Sequence, residues 1–515
     1  MSLYRTTPRY VLLCTLLLVV VSFTALPVAA APHAGAPDLA RIDAYISAQM
    51  QADHIPGVAL GLVHNDQIVH VRGFGSADQG GRAVTPNTPF ILASVSKSFT
   101  ALATMQLVEA GKVALDAPVQ RYLPWFRVAD SVASARITVR HLLSQTSGLP
   151  ASSCEPDPAT MSLEQFVRGL GTVVLDRPVG SRYNYCNANY NVLGLIVQTV
   201  SGQPYGTYIE QHIFAPLQMH HSFALEQEAR RDGLAQGHRW LFGVPAPFDY
   251  YEAAAVPAGY LVSSAEDMTH YLVAQMNGGR FGSSTVLSSA GIATLHAPGV
   301  AITEGEGTGS SYGMGWINGT LAGIPAIWHD GAEPNFTTRL LIEPQTHWGA
   351  VLLVNANSSI LPGLVSLKDA VTRLLAGQAP QASLNLTTLY LIIDGVLVVL
   401  SALAVFPLLR LRRWARKFEH RLQRKPQFLH LGLRLTWDVA LPVALLLLLL
   451  FFANALGETF YGVWLLYPDL DSWLLVISAL LLLTAVSRAV LAVRVIRRTA
   501  AETSSVTPSP NPSLT

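Results

Sequence analysis

The stretch Ser94-Val-Ser-Lys-Ser-Phe-Thr-Ala-Leu-Ala-Thr-Met-Gln-Leu-Val-Glu-Ala-Gly111 has apolar residues at helical spacing after a short polar start. It predicts a helix that begins at Ser94 and ends at Gly111, because glycine favours helix termination. Residues three apart share a helix face, so the Ser94 hydroxyl and the Lys97 amine are expected to occupy one small volume. The chain has five lysines against 29 arginines, and a buried lysine, unlike arginine, can lose its proton. The pair suggests a serine nucleophile with lysine as its base.

Two further short motifs follow in order along the chain, Tyr185-Cys-Asn187 and His329-Asp-Gly331. Tyr185 is able to relay a proton, and the third motif is expected to form a wall for substrate. Each motif also has an ordinary explanation: Ser94 as a helix N-cap, Tyr185 as a core aromatic residue and His329 as a hydrogen-bonded strand histidine. Their order, spacing and local structure together favour the catalytic interpretation.

The segments around these motifs indicate an α+β fold. Strand patterns occur near both ends of residues 38–375, and residues 112 to about 290 mix helices with loops rich in Pro, Gly, Asn and Ser. We expect one antiparallel sheet formed by both ends of the domain, with an inserted helical region. The predicted elements are helices at 38–54 and 361–375 and strands at 58–63, 67–72, 326–329, 336–343 and 348–355.

With these motifs in place, residues 38 to 375 resemble the serine β-lactamase and penicillin-binding protein superfamily, specifically its class C β-lactamase-like branch. That branch includes D-alanyl-D-alanine carboxypeptidases, D-aminopeptidases, esterases and class C β-lactamases. The similarity extends beyond the three motifs, to Phe90-Ile-Leu-Ala-Ser-Val-Ser-Lys97, Leu115-Asp-Ala-Pro-Val119, Tyr122-Leu-Pro124, Ile137-Thr-Val-Arg-His-Leu-Leu-Ser144, Thr146-Ser-Gly-Leu-Pro150, Ala258-Gly259 with Ser263, Ser264 and Asp267, Tyr312-Gly-Met-Gly-Trp316 and Asn355.

The resemblance implies a role for each motif position. Ser94 is expected to be the acylated nucleophile, Lys97 its proton-transfer partner, and Tyr185 the general base or proton shuttle. Asn187, His329 and Gly331 are expected to bind substrate. The oxyanion hole is expected from the backbone N–H groups of Ser94 and Ala332. The family chemistry needs no metal or other cofactor, and the sequence has no histidine–cysteine cluster that suggests one.

At three positions the residue differs from the one that is common in the class C β-lactamase-like branch. His329 stands where class C β-lactamases have lysine, and histidine is neutral over much of the working pH range. This favours peptide or ester cleavage, such as D-amino-acid peptides of cell wall, over β-lactam hydrolysis, although β-lactam hydrolysis stays open. Asn335 replaces a common glycine, and Gln145 replaces a common histidine. The residues also leave open a non-turnover β-lactam or peptidoglycan sensor and an inactive binding module.

The N-terminus predicts export. Arg5 and Arg9 precede an apolar stretch that ends in small residues near Ala30 and Ala31. This layout is typical of a signal peptide covering residues 1–31, although an uncleaved anchor has the same layout. Residues 32–380 are then the extracytoplasmic hydrolase domain.

The C-terminal part predicts a multi-pass membrane region at residues 381–498, with spans at about 389–409, 436–456 and 472–493. Nine Lys or Arg lie between Arg410 and Arg434, whereas residues 457–471 carry none. Basic segments stay in the cytoplasm, so the hydrolase domain lies outside the cell membrane and residues 499–515 form a cytoplasmic, disordered tail. Asp394 falls within the first span and is expected at its interface.

The cysteines and the net charge bear on a possible disulfide and on the expected partners. Cys154 and Cys186 can form a disulfide in an oxidising compartment, or they can be two buried thiols. The net charge of +1 and the lack of a basic stripe in the globular part argue against nucleic acid as a partner. The expected partners are a small-molecule or peptide substrate and the membrane; the sequence gives no oligomeric state.

Overall fold

The computed structural model describes residues 37–151, 161–304, 307–358, 363–381, 386–424, 428–456, 463–465 and 468–504. The predicted signal peptide (1–31) and Cys154 lie outside these residues. So does residue 505 onwards of the predicted tail.

An eight-stranded antiparallel sheet forms the centre of the domain, in the order β2-β1-β14-β13-β12-β11-β10-β9. Its strands come from both ends of the domain, as the sequence predicts. The strands of this sheet are β1 (Gly57–His64), β2 (Gln67–Gly75), β9 (Val300–Ala301), β10 (Ser311–Tyr312), β11 (Ile317–Leu321), β12 (Ile324–Glu333), β13 (Phe336–Glu343) and β14 (Trp348–Val354). The other strands form three smaller sheets: β3 (Phe90–Ile91) with β6 (Val262–Ser263), β7 (Arg280–Phe281) with β8 (Ser284–Thr285), and β4 (His238–Leu241) between β5 (Val244–Pro247) and β15 (Ala356–Asn357).

Helices of the domain cover both faces of this sheet, and four further helices follow the domain in the described part of the chain. The α-helices are α1 (Leu39–Asp53), α2 (Ser96–Glu109), α3 (Ser131–Arg136), α4 (Val139–Leu143), α5 (Leu163–Gly169), α6 (Asn187–Ser201), α7 (Tyr205–Ile209), α8 (Glu226–Arg231), α9 (Ala265–Met276), α10 (Ser289–His296), α11 (Gly363–Leu375), α12 (Leu386–Leu409), α13 (Leu411–Arg424), α14 (Phe428–Leu456) and α15 (Pro468–Ser504).

Strand β1 shows why the sheet needs helices on both sides. Its residues alternate between the two faces, as the period of a strand requires. Val58, Leu60 and Leu62 belong to the core shared with α1 and α11, whereas Ala59 and Val63 belong to the core shared with the helical region. Both sets are fully buried, so the strand reads as a continuous apolar run.

The helical region approaches the sheet closely at Gly61. A Cβ on this glycine would lie 2.6 Å from Thr269 Cγ2 of α9 and 2.9 Å from Val351 Cγ1. Helix α9 therefore rests directly on the backbone of β1. This contact fixes the helical region, including the predicted nucleophile helix, against the sheet.

The C-terminal helices agree in part with the predicted spans. Among the described residues, Leu386–Leu409 and Pro468–Ala501 are long and apolar enough to cross a membrane, whereas Leu435–Phe451 is a shorter apolar segment. Helix α15 continues to Ser504. Residues 499–504, predicted to be disordered, are thus helical here because they extend a long apolar helix.

Candidate active site

The nucleophile turn is a 3-10 turn, Ala93–Val95, directly before α2. The α-helix therefore starts two residues later than the sequence predicts, because Ala93 has φ +50°, in the left-handed region. Leu92 is held from two sides: its N–H donates to the Leu261 carbonyl at 2.8 Å, and its carbonyl accepts from Thr338 Oγ1 at 2.7 Å. The turn is thus fixed between the helical region and the sheet.

Ser94, Lys97 and Tyr185 meet at one oxygen atom. Lys97 Nζ lies 2.9 Å from Ser94 Oγ, and the Tyr185 hydroxyl donates to the same Oγ at 2.8 Å. The helix that follows has no side-chain N-cap hydrogen bond. The N-cap explanation of Ser94 therefore does not hold, and its hydroxyl faces two groups that can exchange protons.

Lys97 is fully buried. Besides Ser94, its Nζ donates to the Ala258 carbonyl at 2.7 Å and lies 4.8 Å from the centre of the Tyr185 ring. Burial lowers the pKa of Lys97 to about 7, although the negative charge of Glu333 opposes that shift. The amine is therefore able to lose and regain a proton near neutral pH.

The second motif lies at the start of α6 and is fixed by Gln145. This residue is buried, with φ +57°, and its Oε1 accepts from the Cys186 N–H at 3.0 Å and from the Asn189 side chain. The sequence marks Gln145 only as a departure, and the structure shows that it holds the backbone beside Tyr185. Asn187 is the first residue of α6, and its Oδ1 is buried without a hydrogen-bond partner among the described residues.

His329 is 2 % exposed. Its Nε2 lies 3.3 Å from the Tyr312 hydroxyl and its Nδ1 lies 2.6 Å from the Asp330 carbonyl. Burial, with the nearby charge of Lys97, lowers the pKa of His329 to about 4. The imidazole is therefore neutral and lies beneath the surface of the site. It is next to Tyr312, whose ring packs edge-on against that of Tyr185.

Gly331 and Ala332 continue β12 beside the nucleophile turn. A Cβ on Gly331 would overlap Thr338 Oγ1 and would lie 2.6 Å from the Leu92 carbonyl and 2.9 Å from Ala93 Cβ. Strand β11 pairs with β12 only as far as Trp328, so among the described strands residues 329–333 pair with β13 alone. Ala332 is exposed there, which leaves an open sheet edge next to Ser94.

Asp330 faces the opposite side of the strand. Arg339 donates to both carboxylate oxygens at 2.7 Å, and Lys368 Nζ of α11 lies 3.3 Å away. Burial alone would raise the pKa of Asp330, but the charges of Arg339 and Lys368 hold it well below its usual range. The third motif is thus tied to the helix that closes the domain.

Two contacts of the site are not predicted from the sequence, although Ala258-Gly259 is part of the family resemblance. The Ala258 carbonyl reaches Lys97 from the π-helical segment Val256–Tyr260, and Glu333 accepts a hydrogen bond from the Tyr260 hydroxyl at 2.6 Å. A Cβ on Gly259, next to Ala258 in the chain, would lie 2.5 Å from Glu333 Oε1. The sequence predicts only Ser94 as a partner of Lys97, since a backbone carbonyl far along the chain cannot be recognised from residue types.

Cys186 is disulfide-bonded. The proposed partner Cys154 lies outside the described residues, so the predicted pairing stays a prediction. The sulfur also lies 3.4 Å from the Pro150 carbonyl. Tyr185 is therefore followed by a residue that is held covalently as well as through its backbone N–H.

The domain that carries this site is similar to known proteins. The beta-lactamase family matches residues 42–366. The chain is 30 % identical to Protein flp of Staphylococcus aureus (strain MW2) over 333 residues, 63 % of this chain and 64 % of that protein. It thus spans less than two thirds of that relative. It is 33 % identical to penicillin-binding protein 4 of Amycolatopsis lactamdurans over 310 residues, 59 % of this chain and 81 % of that protein.

A solved structure is similar as well. It is the octameric penicillin-binding protein homologue from Pyrococcus abyssi, with 26 % sequence identity and a TM-score of 0.58, covering 67 % of this chain and 79 % of that one.

Proposed function

The chain belongs to the beta-lactamase family, and from that membership we propose that it is an exported, membrane-anchored serine hydrolase that acts through an acyl-enzyme. Ser94 is the nucleophile, Lys97 and Tyr185 transfer the proton, and the substrate is a peptide or an ester. The observation that supports this most directly is the pair of hydrogen bonds on Ser94 Oγ, from Lys97 Nζ at 2.9 Å and from Tyr185 at 2.8 Å.

The reaction begins with neutral Lys97. Its amine takes the proton of Ser94, directly or through the Tyr185 hydroxyl, while Oγ bonds to the acyl carbon. The negative oxygen that forms is stabilised by the backbone N–H groups of Ser94 and Ala332. The bond to the leaving group then breaks, and the proton taken from Ser94 passes to the departing nitrogen or oxygen. Water, deprotonated by the same groups, attacks the acyl-enzyme and restores Ser94.

The charges around the site favour peptides or esters over β-lactams. His329 is buried and neutral, so it supplies no fixed positive charge for a substrate carboxylate. Glu333 adds a negative charge close enough to Lys97 to act on its pKa. An anionic β-lactam therefore meets less attraction than it would beside a lysine. D-amino-acid peptides of cell wall are the substrate class that we propose, bound along the open edge of β12 with Asn187 and Gly331 and cleaved at a bond that is not next to a free carboxylate.

The proposed placement is extracytoplasmic. Residues 1–31 direct export, residues 32–380 form the hydrolase domain, and residues 381–498 anchor it with three spans. The basic segment between Arg410 and Arg434 stays in the cytoplasm. An oxidising compartment also suits the proposed bond between Cys154 and Cys186.

A substrate panel on the full-length protein tests the activity. The substrates are a chromogenic ester, a D-amino-acid amide and a chromogenic cephalosporin, each with wild type and Ser94→Ala. We expect repeated turnover of the ester or the amide, slower turnover of the cephalosporin, and no turnover in the variant. One stoichiometric acylation without turnover would indicate a sensor instead, and no reaction with any substrate would indicate a binding module.

A further inference from the structure

The hairpin of β4 and β5, residues 238–247, ends in an apolar tip formed by Leu241, Phe242, Gly243 and Val244. Leu241 is 39 % exposed, Phe242 49 % and Val244 63 %. Both central residues have positive φ, +49° for Phe242 and +74° for Gly243. Turns of this kind favour Asn-Gly, and a bulky aromatic residue in the left-handed region is unfavourable. Folding alone gives no reason for an exposed phenylalanine at this position.

The tip lies against the C-terminal helices. The Phe242 N–H donates to Asp469 Oδ2 at the start of α15, at 2.9 Å. A Cβ on Gly243 would lie 3.0 Å from Tyr390 Cβ and 3.7 Å from Asp394 Oδ2, both on α12. The hairpin thus reaches the first span and the start of the last one.

A second attachment fixes the domain on the same helix. The Leu386 N–H donates to Asp53 Oδ1 at 2.6 Å, and Thr387 Oγ1 donates to the Ala52 carbonyl at 2.8 Å. The end of α1 therefore holds the beginning of α12, and the hairpin contacts it further along. Two separate contacts leave the domain little freedom to rotate on its anchor.

The position of the tip along α12 gives its depth. Asp394 follows the predicted start of the span at residue 389 by about five residues, or roughly 7 Å along the helix. That depth is within the ~5–10 Å at which apolar faces of interfacial elements bury. Leu391 and Ile392, on the same turns of α12, are 69 % and 45 % exposed. If α12 spans the membrane, these two side chains face lipid at about the depth of the tip.

From these contacts we propose that the hairpin tip, Leu241–Val244, inserts into the outer interface of the lipid bilayer and orients the hydrolase domain on the membrane. The occupant of its exposed surface is lipid. The inference rests on the proposed membrane anchoring, but not on the proposed chemistry. It also places Asp394, whose Oδ2 lies next to Gly243 of the tip, at the interface rather than deep in the bilayer.

The hairpin also connects to the active site. Asn335 Nδ2 donates to the carbonyls of Phe248 and Tyr250 at 3.0 and 3.3 Å, and the Tyr250 ring lies 6.3 Å from that of Tyr260, which bonds Glu333. Tyr250 follows Gly243 by seven residues, so it is at most ~25 Å from the tip. An inserted tip therefore holds Tyr250, which leads to Tyr260 and Glu333 at the site, within that reach of the membrane surface.

Depth-dependent fluorescence quenching tests the inference. The full-length protein with Val244→Cys, labelled with an environment-sensitive fluorophore, is reconstituted into phospholipid vesicles with or without lipids that carry a nitroxide near the headgroup. We expect blue-shifted emission and quenching by the nitroxide lipids. Val174→Cys, at a 74 % exposed position of the helical region, is the matched control and is expected to show neither change.

Two further measurements separate the possible failures. Leu391→Cys reports whether α12 is in the bilayer, and labelling of Ser94 by a serine-reactive phosphonate reports whether the catalytic site is intact. Water-like, unquenched emission at residue 244 while residue 391 is quenched would overturn the inference. Equal quenching at residues 244 and 174 would overturn it as well, because the tip would then have no special contact. Neither result affects the proposed chemistry, which phosphonate labelling tests alone.

Discussion

Lys97 Nζ donates a hydrogen bond to the carbonyl oxygen of Ala258 at 2.7 Å, although the two residues are 161 positions apart in the sequence. A neutral amine has two N–H groups and one lone pair. When one N–H is held by this carbonyl, the lone pair can face Ser94 Oγ, which lies 2.9 Å away. The Ala258 carbonyl thus orients the neutral amine so that its lone pair can accept the proton of Ser94.

Replacing Lys97 with arginine is expected to inactivate the enzyme. Lys97→Arg keeps a positive charge but removes the group that can lose a proton, and loss of a general base typically costs ~10²–10⁴-fold in rate. The measurement is turnover of the best substrate from the chromogenic panel. Lys112→Arg, just beyond the same helix and exposed, is the matched control and is expected to keep wild-type activity. Full turnover in Lys97→Arg would refute the role of the lysine.

Removal of the Ser94 hydroxyl is expected to abolish covalent labelling. A fluorescent penicillin or a serine-reactive phosphonate should label the wild type and leave Ser94→Ala unlabelled, because the covalent bond forms on the Oγ that this substitution removes. Ser98→Ala is the control, since the Ser98 hydroxyl donates to the Val95 carbonyl at 2.8 Å and accepts from the Tyr271 hydroxyl at 3.1 Å and is thus not the proposed nucleophile. Equal labelling of wild type and Ser94→Ala would eliminate Ser94 as the nucleophile.

The pH dependence of acylation reports on Lys97. Its pKa is about 7, and only the neutral amine accepts a proton, so the rate is expected to rise as the pH increases through about 7. His329, with a pKa of about 4, is neutral throughout this range.

Glu333→Gln removes the charge that raises the pKa of Lys97. The rising limb of the acylation rate plotted against pH is therefore expected to shift to lower pH in this variant. Glu164→Gln, which alters only an exposed pair with Arg168, should leave the limb in place. An unchanged limb in Glu333→Gln would show that the carboxylate does not act on the lysine.

Local patterns predict the elements of the fold well. The hairpin at residues 58–72 and the three late strands follow from short apolar runs bounded by turn residues, and the helix at 361–375 follows from helical spacing. Elements β1, β2, β12, β13, β14 and α11 lie there. The prediction that both ends of the domain share one antiparallel sheet is confirmed. The predicted start of α2 is two residues early, because the sequence does not reveal the left-handed conformation of Ala93.

The candidate site is predictable where chemistry depends on residue type. Ser94, Lys97 and Tyr185 stand out for that reason, and the structure brings them together. The Ala258 carbonyl and the burial of His329 depend instead on how distant segments pack. Sequence can show that residue 329 is histidine, but not that the side chain points to Tyr312 and is 2 % exposed.

The buried charges behind the third motif are expected to matter for stability. Asp330 is 10 % exposed and pairs with Arg339, which is 4 % exposed. Asp330→Asn removes the carboxylate that pairs with Arg339 and Lys368, and leaves Arg339 with Asp369 as its remaining carboxylate partner. Breaking a buried pair costs ~3–5 kcal/mol. The measurement is the free energy of unfolding. Asp116→Asn breaks the pair of Arg140 with a carboxylate that is 76 % exposed, and its expected cost is below ~1 kcal/mol. Equal effects of the two substitutions would contradict the structural role of Asp330.

Gly331→Ala is expected to lower turnover by displacing the nucleophile. The added methyl group would lie 2.6 Å from the Leu92 carbonyl and 2.9 Å from Ala93 Cβ, both of which precede Ser94 directly. The methyl group would also overlap Thr338 Oγ1, which donates to the Leu92 carbonyl at 2.7 Å, so the substitution disturbs the hydrogen bond that holds the turn. We expect turnover and the rate of phosphonate labelling to fall together, by tenfold or more if the shift costs ~1.4 kcal/mol in the transition state. Gly169→Ala, where a methyl group meets nothing within 4 Å, should behave as wild type. Unchanged labelling in Gly331→Ala would show that β12 can separate from the turn without affecting Ser94.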